Sequence, residues 1–116
     1  MAKTVTAMSA DGKRKMRVPI VAENGPFSVA RCVNLQPGRR EVTPRWCVYH
    51  TKSGAGFRPE FCKKAPAIRA MEMMAEIKGN WDRPFDELVK DAKLKVKYAE
   101  VLAEIKVECG DWIMVS

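Results

Sequence analysis

The segment RWCVYHTKSGAGFR, residues 45–58, sets Trp46, Cys47, Tyr49 and His50 between two arginines and ahead of a glycine-rich turn, and His50 is the only histidine of the chain. Such residues can ligate a metal, activate a nucleophile or stack against nucleobases. A zinc reading takes Cys47 and His50 with two of Cys32, Cys62 and Cys109, since structural zinc wants four Cys or His ligands in a tetrahedron. Residues three apart on a strand point to opposite faces, however, and no second close-spaced ligand pair exists, so no metal site is expected.

Nucleophilic catalysis needs a nucleophile, a base and an orienting group within hydrogen-bond reach. Here Cys47 or Cys62 would attack, His50 would be the base and Asp82, Asp86 or Asp111 the third member, yet nothing in the spacing couples them. A histidine at a strand end and cysteines in a core explain the same residues. The stretches GKRK and KSGAG lack the G-x-x-x-x-G-K-[ST] pattern of a phosphate loop. The chain is expected to be no enzyme and to carry no cofactor.

What remains is a set of cations interleaved with rings. Residues 1–58 hold 11 Lys and Arg against 3 Asp and Glu, a charge of +8, whereas residues 59–116 hold 10 against 11, a charge of −1. Affinity for nucleic acid comes largely from Lys and Arg contacts to phosphate, and the planar fork of arginine suits phosphate better than lysine does. The candidate contacts are Lys13, Arg14, Lys15 and Arg17 in an N-terminal basic run, Arg39 and Arg40 at a turn, and Arg45, Tyr49, Lys52 and Arg58 around the opening segment. Bases stack on exposed rings for about 1–3 kcal/mol each in single strands. Trp46 and Val48 share one strand face and read as core, which leaves Tyr49 as the ring expected at the surface.

The elements that must position these residues follow from pattern. With 116 residues, 47% apolar and 30% charged, the chain has the size and composition of one globular domain. Residues 1–15 read as a flexible basic arm and residues 16–116 as a single α+β domain. Asn24-Gly25 marks a hairpin between strands near residues 16 to 22 and 27 to 33. LQPGRREVTP reads as a polar connection with Arg39 and Arg40 at its exposed tip, followed by a strand from Arg45 to Thr51 and a short fourth strand at Phe57.

After Ala65 the apolar period becomes helical, through Ala67, Ile68, Met71, Met74 and Ala75, with Gly79 as a stop. Met73 falls on another side of that helix. Asp82 reads as the N-cap of a second helix. Unbroken from Pro84 to Val107 it would be about 36 Å long, so a bend is expected at KLKVKY. DWIMVS reads as a last strand or tail. The fold class is thus a small antiparallel sheet of three or four strands in the N-terminal half followed by two helices packed on one face.

No run approaches the roughly 20 apolar residues of a membrane span, and the N-terminus lacks an apolar segment ahead of a small-residue cleavage site. A cytoplasmic protein with reduced thiols and no membrane partner is expected. The expected function is a non-enzymatic binding module whose basic sheet half contacts nucleic acid or a nucleic-acid-bearing protein complex. The competing expectation is a small antagonist or adaptor, of the kind phages direct at host nucleases or CRISPR effectors, that docks on an acidic protein surface. Composition leaves the oligomeric state open.

Overall fold

The computed structural model describes residues 3–9, 12–108 and 112–113. In chain order the elements are β1 (Thr4–Met8), β2 (Lys15–Pro19), β3 (Ala22–Asn24), β4 (Phe27–Gln36), β5 (Arg39–His50), β6 (Ala55–Gly56), β7 (Glu60–Phe61), α1 (Lys64–Ala75), α2 (Phe85–Leu88), α3 (Ala92–Glu108) and β8 (Trp112–Ile113). Strands precede helices, so the fold is α+β. Its sheet content is larger than the three or four strands expected: β1 and β2 form a separate two-stranded sheet, while β3-β4-β5-β7-β8, with β6 also on β5, form a six-stranded one. There are three helices among the described residues rather than two.

The difference arises at three places. Residues 4–8, expected within the arm, pair antiparallel with β2 because alternate positions Val5 and Ala7 find an apolar surface to cover. Pro19 ends β2, and the chain re-enters the main sheet as β3, which turns at Gly25 (φ 59°) and pairs Asn24 with Phe27. The stretch expected as a polar connection instead continues both neighbouring strands into one long β4–β5 hairpin, reversed at Pro37-Gly38 with Gly38 at φ 76°.

That hairpin bends at a bulge, where the register passes from Arg31↔Trp46 to Val33↔Val42. Pro44 has no N–H to donate to the ladder, and the extra residues of β5 gather around it. Thr43 bridges the gap, its hydroxyl donating to the Cys32 carbonyl at 3.0 Å and accepting from the Arg45 N–H at 3.2 Å.

Both faces of the main sheet are covered, so the expectation of helices on one face is half of the arrangement. On that face Phe27, Val29, Val48 and Phe61 pack with Ala67, Ala70, Met71, Met73 and Met74 of α1, in one cluster with Trp81, Leu94 and Ile105. Met73, expected to emerge elsewhere, is buried here. On the opposite face the β1–β2 hairpin lays Val5, Ala7 and Val18 over Ala30, Cys32, Cys47 and Tyr49. Removing such a side chain from water is worth about 1.5–3 kcal/mol, so the hairpin is held by its own core.

The second helical stretch breaks earlier than expected. The break falls at Val89–Asp91, and KLKVKY lies unbroken within α3. Asp91 explains it: its carboxylate accepts the Leu94 N–H at 3.1 Å as an N-cap and the Arg83 guanidinium at 2.9 Å. The expected cap, Asp82, instead pairs with Lys52 on the surface, and Pro84 occupies the N-cap position of α2.

Candidate nucleic-acid interface

The two hairpins that cover and extend the sheet bring their turns side by side. The β1–β2 turn is closed by Ser9, whose N–H donates to the Arg14 carbonyl at 2.9 Å and whose hydroxyl accepts the Arg14 N–H at 3.1 Å. Arg40, one residue into β5, donates from Nη2 to the Lys15 carbonyl at 3.0 Å and ties the second turn to the first. Between them lies a groove of about 550 Å³ lined by Lys13, Arg14, Lys15, Arg39 and Arg40 together with Gln36. Among the described residues that line it there is no carboxylate. Arg17 lies two positions along β2 from Lys15 on the same exposed face and extends the positive surface.

Six of the ten candidate contacts are thus gathered at or beside one groove, and four are placed elsewhere. Arg45 and Arg58 both engage Glu60, Arg45 at 3.5 Å, so two cations share one buried carboxylate. Lys52 donates to Asp82 at 2.6 Å and holds that carboxyl below its usual range. Tyr49 is only 3% exposed, with its hydroxyl donating to the Arg31 carbonyl at 2.8 Å. The expectation of a surface ring fails because the β1–β2 hairpin, invisible as an element in the basic run, covers that face. Trp46 packs against the helix-side core and carries the Arg31 guanidinium 4.3 Å above its ring.

The elements considered for catalysis stay apart. Cys47 and His50 lie three apart on β5 and join opposite cores. His50 is fully buried, Nε2 2.7 Å from the Trp81 carbonyl and Nδ1 2.7 Å from the Ser53 hydroxyl. A carbonyl can only accept, so Nε2 donates to it, and the ring serves as a tie between β5 and the loop before α2. Cys32 and Cys47 line a cleft of about 860 Å³ with Tyr49, Phe57 and Phe85. The Cys32 thiol is pushed up by its hydrogen bond with Cys47 and by burial, the opposite of what a nucleophile requires. Cys62 is exposed, and Cys109 and Asp111 lie outside the described residues. Among the described residues there is no group of three or more His, Cys, Asp or Glu side chains able to hold a metal ion, and no helix long and apolar enough to cross a membrane.

Sequence reasoning missed Gln36 and the continuity of the ribbon that carries it. The available signal was Pro37-Gly38 flanked by paired positions on either side, which reads equally as a hairpin turn. Set against family models, curated proteins and solved structures, the chain finds no match in any of the three.

Proposed function

We propose that this chain is a non-enzymatic nucleic-acid-binding module that grips the phosphate backbone in the groove between its two hairpin turns. The observation that carries this is the convergence of Lys13, Arg14, Lys15, Arg39 and Arg40 from separate elements onto one concave surface, fixed by the Arg40 bond to the Lys15 carbonyl. Phosphate oxygens accept from guanidinium and ammonium groups in charge-assisted bonds, and each neutralised phosphate releases condensed counterions. Concavity lets several donors reach one backbone at once.

Fluorescence anisotropy of labelled DNA and RNA at 50 and 200 mM salt tests it. Binding that weakens steeply with salt is expected, by roughly 10³-fold over that range if six or so phosphates are contacted. Absence of binding to every nucleic acid at the lower salt overturns the proposal and redirects the basic groove to an acidic protein surface.

A further inference from the structure

Beyond the bulge, the β4–β5 hairpin stands apart from the rest of the main sheet. Strand β3 pairs with residues 27–29, β6 with residues 49–50 and β7 with Trp46, so from Val33 to Val42 the two strands are laddered only to each other among the described residues. This is a free two-stranded ribbon with a two-residue tip. Its register divides it into two faces. Val33 opposite Val42 and Leu35 opposite Arg40 form one, which meets β2 through the Arg40 bond to Lys15 and packs Val33 on the hairpin-side core. Asn34 opposite Glu41 and Gln36 opposite Arg39 form the other.

That second face is wholly polar, and its residue types are those that read base edges. Arginine matches the two acceptors of guanine, asparagine and glutamine match the donor–acceptor pair of adenine, and glutamate accepts from cytosine. The side chains are held to one another only by long contacts, Asn34 Nδ2 to Glu41 at 3.4 Å and Arg39 Nε to Glu41 at 3.8 Å. Arg39 and Glu41 are more than half exposed, at 59% and 54%, so these contacts exchange for others at little cost.

We infer that the Val33–Val42 ribbon enters the major groove of B-form DNA, with Asn34, Gln36, Arg39 and Glu41 toward the base edges while Lys13, Arg14 and Lys15 hold the flanking phosphates. This rests on the nucleic-acid reading above and narrows it to one polymer. A two-stranded ribbon fits a major groove about 12 Å wide. The deep, narrow major groove of A-form RNA excludes it. Single strands are bound through exposed rings, and the rings nearest on these strands are spent, Tyr49 in a core and Trp46 beneath Arg31.

The test compares duplex DNA, duplex RNA and single-stranded DNA of one sequence by anisotropy, then selects binding sites from a pool of random duplexes. Duplex DNA is expected to bind at least tenfold tighter than the other two. The pool selected by the native protein is expected to show a base preference over a few positions, which Asn34→Ala with Gln36→Ala flattens while its affinity for unselected duplex stays within about twofold. Arg39→Lys keeps the charge and loses the bidentate fork, so it should relax preference at one position and leave the salt slope unchanged. Equal binding of the three polymers, or a preference that survives both variants, overturns the ribbon inference and leaves phosphate gripping in place. Failure to bind any polymer overturns both.

Discussion

The Arg40 guanidinium lies 3.0 Å from the main-chain carbonyl of Lys15, and this one bond joins two hairpins that are 25 residues apart in sequence. It sets the floor of the basic groove and leaves the other cations around it. The arginine therefore has two duties, one structural and one electrostatic.

Replacing Arg40 separates those duties. Arg40→Ala should lower the slope of log K against log salt by about one, as for one lost phosphate, and should also speed amide exchange at residues 12–16, because the turn loses its tether. Arg40→Lys retains the charge and should restore most of the slope but less of the exchange protection. Exchange rates unchanged in Arg40→Ala would show that the bond does not order the groove.

A second close approach holds the β1–β2 hairpin on the sheet. The Met8 N–H donates to the Gly54 carbonyl at 3.0 Å, and Gly54 itself sits at φ +79° with an added Cβ only 1.8 Å from the Thr6 carbonyl oxygen. Gly54→Ala must push β1 away. A loss of about 2–4 kcal/mol is expected in urea unfolding, near the upper end for a single substitution. Gly25→Ala, with open space around it, should cost clearly less.

The His50 tie predicts a similar loss by a different cause. His50→Phe fills the site but strands the Trp81 carbonyl and the Ser53 hydroxyl, at a cost of about 2–4 kcal/mol. Unfolding midpoints report it, and unchanged stability would mean that water replaces both partners.

Alkaline pH should loosen the hairpin-side core. Burial first, and then the Cys47 thiol, raise the Tyr49 phenol, while the hydrogen bond with Cys47 and burial raise Cys32, from ordinary values of 10.0 and 9.0. Above those values the unfolded chain gives up protons that the folded chain keeps, so stability must fall as pH rises. The urea midpoint should hold steady to about pH 8.5 and decline beyond pH 9. Tyr49→Phe should lose about 1 kcal/mol at neutral pH with the Arg31 carbonyl unpaired, decline less steeply with alkali, and bind nucleic acid as the native protein does.

How much of this was readable beforehand differs from element to element. The helix over Lys64–Ala75 and the reversal near Gly25 announce themselves through period and turn chemistry, and the grouping of Lys13 to Arg17 with Arg39 and Arg40 follows charge density alone. The burial of Tyr49 does not. It depends on Val5 and Ala7, two small apolar residues in a polar-looking start, finding a sheet face through long-range packing. Nor is the neutralisation of Arg45, Arg58 and Lys52 visible, because their partners Glu60 and Asp82 are fixed by β7 and the loop before α2. Local pattern reveals where cations are dense, while tertiary contacts decide which remain available.

The measurement that bears most directly on the groove is the salt dependence of duplex DNA affinity for the native protein, Lys15→Ala and Arg69→Ala. Arg69 serves as the control, a cation on α1 that pairs with Glu108 at 2.7 Å and lies outside the groove. Lys15→Ala should reduce the magnitude of the slope by about 0.9 and Arg69→Ala should leave it unchanged. Equal slopes for the native protein and Lys15→Ala, or an equal reduction in both variants, would contradict phosphate binding in the groove between the hairpins.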